Sequence, residues 1–342
     1  MGKDSKANNT HTTYSSLARC VVMNRVVVNK SIQPKVRNYS TTPAFSQLNL
    51  GLNPWFITGF TDGEGSFIIL ILKNPKLKSG WECRVCFQIG LDVKDKGLLD
   101  RIQAFFGGVG KVHKGEKNIY RYMVHKPKEL MILVDHFDKY PLITQKRADF
   151  ELFKKAVEIL CNKEHLTIEG VHKLVAIKAS INLGLSSELK EAFSYISNFP
   201  RPNINDQAIK SPYWLSGFTT AEGCFLISLK KKSTEGYYVS LRFQISQHSR
   251  DELLMKSLVS YLECGLYEKR EGDWGNFVCS NIKDITDKII PFFNLYSLEG
   301  LKLLNYMDWY EAAELIKTKA HLTTMGLDKI LKIKASMNTK RD

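Results

Sequence analysis

Along this chain the spacing of apolar residues switches between a period of two and a period near 3.6, and the same succession of switches occurs twice. From Glu82 to Ile89 the alternation is strict: Cys83, Val85, Phe87 and Ile89 take one face, and Glu82, Arg84, Cys86 and Gln88 the other. This is the pattern of a half-buried strand. The β-rich run Ser66 to Lys73 precedes it, with Ser66, Ile68 and Leu70 on one side, and polar Asn74 to Gly80 between the two predicts a hairpin. The pattern returns with Val239, Leu241, Phe243 and Ile245 set against Tyr238, Ser240, Arg242, Gln244 and Ser246, after a first strand carrying Cys224, Leu226, Ser228 and Lys230.

After the first hairpin, Lys94 to Phe106 has helical spacing and ends on Gly107, Gly108 and Gly110. Strands follow around Lys111 to Lys114 and Ile119 to His125, with Lys111, His113 and Arg121 as their polar positions; helices then begin near Lys126, at Gln145 and at Thr167. The later counterparts are a helix from Asp251 to Leu262, strands at Leu266 to Arg270 and Phe277 to Ser280, and helices near Lys283, Leu301 and Thr323. Each half reads α, β, β, α, β, β, α, α, α, an α+β module. The predicted organisation is a tail over 1–50, a first domain over 51–185, a linker over 186–211 and a second domain over 212–342.

The repeat is plainest in two nine-residue stretches: Ile57 to Gly65 reads ITGFTDGEG and Leu215 to Gly223 reads LSGFTTAEG. Each follows Pro and an aromatic and ends in Glu-Gly, which predicts a short helix with Pro in its first turn and Gly past its end. Gly59 and Gly63, and Gly217 and Ala221, are small residues four apart, so one face of each helix admits a close neighbour. Packed together, the helices bring Glu64 and Glu222 to one place, at carbonyl ends where a carboxylate is unfavourable. Two like charges so placed call for a cation between them, and oxygen ligands with room for phosphate and water suit Mg2+. Asp62 is matched by Thr220, whereas Glu64 is matched by Glu222, so only the latter position keeps its charge. The Glu pair is offset by 158 residues, but His165 and His321, and Lys146 and Lys302, by 156. The difference of two falls in the first hairpin loop.

Composition narrows the partner. Lys and Arg exceed Asp and Glu by 49 to 35, a net charge of +14, which points to a polyanion, and no apolar run approaches membrane-spanning length. Seven scattered Cys fit a reducing compartment; Cys83 and Cys86, a CxxC pair, fall on opposite strand faces and cannot share a metal. His165 and His321 each precede a Thr able to cap the next helix, a structural role. Residues 1–50 hold seven Lys and Arg against the single acid Asp4. Their composition and the sequence Arg37-Asn38-Tyr39-Ser40-Thr41 resemble a mitochondrial presequence; a basic arm or the remnant of an upstream coding sequence would read the same way.

The two nine-residue stretches resemble the signature of LAGLIDADG homing endonucleases in their single-chain, two-motif form, and the resemblance covers nearly everything from Leu52 to Arg341. It implies two pseudo-symmetric domains, each a four-stranded antiparallel sheet with helices on one face, packed through the signature helices. It further implies a monomer that cuts both strands of a long asymmetric duplex and promotes intron mobility, in this case in a mitochondrion. The metal ligands fall on Glu64 and Glu222, with carbonyls of Gly63 and Ala221, for Mg2+ or Mn2+. A ring ordering water and screening charge falls on Lys146, Lys302 and Gln247. The DNA-reading set comprises the polar strand residues named above together with Arg270, Asn276 and Ser280, because a β-ribbon fits the major groove and reads base edges. An intron RNA maturase of the same fold, and a nonenzymatic DNA-binding protein, are competing readings; retention of both acids favours cleavage.

Overall fold

The computed structural model describes residues 51–231, 233 and 236–338; the basic tail lies outside the described residues. The first half runs α1 (Pro54–Glu64), β1 (Gly65–Lys73), β2 (Trp81–Asp92), α2 (Lys96–Phe105), β3 (Lys111–Lys114), β4 (Ile119–Val124), α3 (Pro127–Lys139), α4 (Lys146–Cys161) and α5 (Ile168–Ala179). After α6 (Ser187–Ala192), the second half repeats it: α7 (Pro212–Glu222), β5 (Gly223–Lys231), β6 (Tyr237–His248), α8 (Glu252–Tyr261), β7 (Leu266–Lys269), β8 (Trp274–Cys279), α9 (Ile282–Asp284), a π turn (Ile285–Ile289), α10 (Ile290–Leu295), α11 (Gly300–Lys317) and α12 (Thr324–Ala335). Two antiparallel four-stranded sheets result, ordered β1-β2-β4-β3 and β5-β6-β8-β7. The fold is α+β.

Strand alternation explains where each sheet packs. Phe67 faces Phe87 across the first sheet, and Phe225 faces Phe243 across the second. Helices cover that side, adding Phe137, Phe150 and Phe153 in one core and Phe293, Tyr306 and Trp309 in the other, all at repeat-equivalent positions. Burying such rings is the main stabilising term in each half. The cores also trade residues at their junction, for Ile143 of the first half packs in the second core and Ala221 of the second packs against the first.

Pairing register locates every difference between the halves. Gly65 pairs with Ile89 but Gly223 with Ile245, so the second hairpin is two residues shorter in its loop, as the offset requires. Two smaller shifts were not legible beforehand. Gln88 pairs with Met123 and Gln244 with Val278, which means one residue is lost between α8 and β7. The stretch Ile282–Leu295 regains it relative to α3, and the π turn accommodates the extra residue, the usual way a helix absorbs a single insertion.

Two local details were not part of the sequence pattern. Gly65 and Gly223 stand past their helices as expected, and do so in extended conformation (φ −70° and −69°). Glycine is needed there for space: an added Cβ would lie 2.4 Å from Thr61 Cγ2 and 2.5 Å from Thr219 Cγ2. The linker, in turn, contains α6, capped by Ser186, and its Leu189 and Phe193 are buried in the first core.

Candidate active site

The site is built where α1 and α7 cross. A Cβ on Gly59 would sit 2.0 Å from the Trp214 carbonyl oxygen, and one on Gly217 would sit 2.1 Å from that of Phe56, so the two backbones touch with no room for side chains. Further along, Gly63 lies against Ala221 and beneath the Glu222 side chain, whose Oε1 would be 3.5 Å from a Cβ at that position. The helices thus deliver Glu64 and Glu222 to the same end of the crossing. Glu222 is buried. Burial, and then the charge of Glu222, push the Glu64 carboxyl up to about 8.

Neither helix carries a basic residue in its last turn. The cation comes from elsewhere in each half: Lys146 Nζ, at the start of α4, donates to the carbonyls of Gly63 (2.7 Å) and Thr61 (3.1 Å). Lys302 Nζ, near the start of α11, donates to the Gly223 carbonyl. Each lysine satisfies terminal carbonyls and places positive charge at the negative end of a helix. Burial pulls Lys146 below the usual lysine range, while Asp62, Glu222 and Glu64 oppose that shift.

Asp62 has a separate job. Its carboxylate accepts from Ile143 N (3.1 Å), Thr144 N (3.3 Å), Thr144 Oγ1 (2.6 Å) and Trp214 Nε1 (2.7 Å). Burial nevertheless holds it at about 6. With its oxygens engaged this way it organises the segment ahead of α4. Thr220 does the equivalent work in the second half by accepting from Glu299 N (3.3 Å).

The chain matches the family model of LAGLIDADG endonucleases over residues 57–157 and again over 215–313. It belongs to that family. Probable intron-encoded endonucleases 3 and 2 of Neurospora crassa are 41% and 40% identical to it, each over 84% of this chain. The chain spans 55% and 65% of their respective lengths. Among solved structures, the I-SmaMI LAGLIDADG homing endonuclease bound to cleaved DNA is 45% identical, covers 85% of this chain and 98% of its own, and superposes with a TM-score of 0.84. I-GzeII in complex with its DNA target is 44% identical, with a TM-score of 0.80 over 85% of this chain and 100% of its own.

In this LAGLIDADG chain the sheet faces away from the helices carry most of the polar strand residues named from the sequence. Ser66, Ile68 and Leu70 pair with Gln88, Cys86 and Arg84, while His113 pairs with Arg121 and Lys111 with Met123. Cys224, Leu226, Ser228 and Lys230 pair with Gln244, Arg242, Ser240 and Tyr238. Arg84 is bound to Glu82 at 2.6 Å; Arg242 is held by both Glu268 (2.7 Å) and Gln244 (3.0 Å).

Four positions are corrected. Cys86 is on that face but buried, a short side chain opposite Ile68 and flanked by the longer Arg84 and Gln88. Asn276 is buried too; with its amide oriented to suit its neighbours it donates to Ser246 Oγ (2.9 Å) and accepts from Arg270 Nε (3.0 Å), which braces both. Ser280 is exposed but lies past the end of β8. Gln247 pairs with Gly275 and shares the parity of core-facing Phe243 and Ile245, which turns it toward the helix side. Gln88 and Gln244, opposite Ser66 and Cys224 just beyond the two acids, stand where the sequence reading had put Gln247. The reading also missed Trp274, half exposed and paired with His248 on the open face; its aromatic character in a strand beside polar neighbours was the available signal.

Proposed function

We propose that this chain is a site-specific DNA endonuclease that makes a double-strand break in a long asymmetric duplex, using a divalent cation, and that it acts as a single chain in a mitochondrion. The observation that carries this reading is the convergence of Glu64 and Glu222 at the crossing of α1 and α7, with Glu64 pushed up to about 8. Burial and mutual repulsion both disfavour such a pair of acids. Among the described residues no cluster of three or more His, Cys, Asp or Glu could hold a metal alone. The donor set is therefore two carboxylates, with the carbonyls of Gly63 and Ala221 and oxygens from DNA and water, which fits a hard cation such as Mg2+, or Mn2+ in its place. When bound, such an ion supplies a Lewis acid and a lowered water pKa.

The chain's own residues do the rest. Glu64 and Glu222 would hold the ion between the halves, and Lys146 and Lys302 would place positive charge beside the scissile phosphates while fixing the helix ends. The two polar sheet faces would lie along the duplex. They differ residue by residue (Arg84 against Ser240, Cys86 against Arg242, His113 against Glu268), so the two half-sites should differ as well. RNA binding alone would leave the paired acids unexplained. The relatives named as intron-encoded, and a 26% identical Saccharomyces cerevisiae protein named as mitochondrial, support intron mobility and the mitochondrial assignment.

The test is to incubate the protein with a randomised duplex library and Mg2+ and sequence the ends produced. A single asymmetric consensus cut on both strands is expected. Binding without cleavage under Mg2+ or Mn2+ would overturn the enzymatic reading.

A further inference from the structure

Each half of the molecule accepts a hydrogen bond from the backbone amide just before the other half's active-site lysine. Asp95, just before α2 of the first half, accepts from Leu301 N at 2.7 Å through Oδ1. Asp251, just before α8 of the second half, accepts from Gln145 N at 2.8 Å and from Gln207 Nε2 at 2.7 Å, again through Oδ1. Asp95 and Asp251 are 156 residues apart, as are Gln145 and Leu301, so the two bonds are repeat-equivalent and both cross between halves. The residue after each donating amide is a lysine, Lys146 or Lys302.

The geometry is reciprocal. Lys302 follows Leu301, whose amide is tied to the first half through Asp95, while Lys302 Nζ reaches Gly223 at the end of its own half's α7. Lys146 follows Gln145, whose amide is tied to the second half through Asp251, and Lys146 Nζ reaches Gly63 and Thr61 of its own half's α1. A carboxylate at the first amides of a helix is favourable in itself. Burial raises the cost most for Asp251, which is almost completely enclosed, whereas Asp95 is partly exposed. The surroundings are shaped to keep Asp95 in place: Gly300 takes φ +59°, and a Cβ there would lie 2.3 Å from Asp95 Oδ1. Glu299 is held by the first half as well, through Arg101 (2.6 Å and 3.2 Å).

We propose that Asp95 and Asp251 are positioning residues that set Lys302 and Lys146 from across the molecule, so that each half of the site is complete only when the other half is docked. This rests on the endonuclease reading above. Asp95 should therefore bear on the strand served by Lys302, and Asp251 on the strand served by Lys146.

The test compares Asp95→Ala, Asp251→Ala and the corresponding Asn variants, which keep an acceptor oxygen in place. Strand-resolved single-turnover cleavage of the wild-type target is the first readout. Asp95→Ala and Asp251→Ala are expected to slow opposite strands by roughly 10- to 100-fold, the range for groups that orient an active-site side chain, with nicked DNA accumulating and DNA affinity unchanged. The Asn variants should recover most of the rate. In the metal-free protein, amide exchange should quicken at Leu301 in Asp95→Ala and at Gln145 in Asp251→Ala. Equal slowing of both strands by either variant, or unchanged exchange at these amides, would overturn the proposal. Should the Ala variants fail to fold, Asp95→Glu and Asp251→Glu keep the charge but displace the acceptor and must show the same opposite biases. A wild type that does not cut would defeat the endonuclease reading, and the exchange measurement would still decide whether the two bonds position Leu301 and Gln145.

Discussion

The indole Nε1 of Trp214, in the second half, donates to Oδ2 of Asp62, in the first, at 2.7 Å, and the repeat contains no mirror image of the bond. The symmetric positions hold Phe56 and Thr220. An otherwise duplicated helix crossing is thus pinned on one side only, by a carboxylate that burial holds at about 6 and that gathers three further donors from Ile143 and Thr144.

Trp214→Phe should therefore destabilise by about 1 to 3 kcal/mol, the penalty for leaving a buried carboxylate short of one donor. Asp62→Thr should cost a similar amount. The double variant restores the pairing found on the symmetric side and should cost clearly less than the sum, which thermal and denaturant unfolding of all four proteins would show. Strict additivity would mean that the bond contributes nothing of its own.

The paired acids make two linked predictions. Glu64→Gln and Glu222→Gln each keep shape but lose the charge that would hold a cation, so both should abolish cleavage and leave DNA binding largely intact. Without metal, the folded state holds the Glu64 proton more tightly than the unfolded chain, with values of about 8 and 4.5. Stability from this group is thus greatest below pH 4.5 and is lost as pH rises toward 8. Metal-free Glu64→Gln should melt above the wild type at pH 8 and match it near pH 5. A pH-independent difference would place the effect of Gln elsewhere.

Arg242 is braced by Glu268 and Gln244, whereas Arg84 is bound to its strand neighbour Glu82. Arg84→Ala and Arg242→Ala should each relax base preference in one half-site, by roughly 1 to 3 kcal/mol at the contacted base. Glu268→Gln, which frees Arg242 without removing it, should broaden preference in the second half-site alone. A selection from randomised half-sites reads all three; relaxation in both half-sites from a single change would count against two separate faces.

Much of this was legible because duplication made it so. Gly59, Gly63, Gly217 and Ala221 announced a close helix contact, and strict alternation in Glu82 to Ile89 gave the sheet faces directly. What escaped depends on contacts between remote segments. The grip of Lys146 on the Thr61 and Gly63 carbonyls joins residues 85 and 83 apart in sequence, and no local pattern encodes it. Gln247 was assigned from the family resemblance, which does not fix which way a strand turns a side chain. Asp95 and Asp251 kept the offset of 156 throughout, a signal available from the sequence but meaningless until the amides they accept from were known. Ser186 followed by Glu188 was a readable helix start within the linker.

The last prediction concerns residues 1–50, whose basic composition suggested import or an arm. The repeat unit begins with Leu52, buried in the first core, and with Asn53, whose side chain caps α1 by accepting from Trp55 N at 2.9 Å. The second half begins its repeat at Ser211, the equivalent cap, and Pro212, preceded by a linker whose Leu189 and Phe193 pack in the first core, so the earlier residues have no counterpart in the repeat. A chain starting at Gln47 retains both the buried Leu52 and the Asn53 cap, so it should fold, bind its duplex and cut at close to the full-length rate. Loss of seven Lys and Arg can still weaken phosphate contacts, and such a loss grows as salt is lowered. A salt series of binding and single-turnover cleavage on both proteins separates the two effects: a shortened chain that is insoluble, or that binds but does not cut, would show that the tail packs on the core and that the proposed boundary at residue 50 is misplaced.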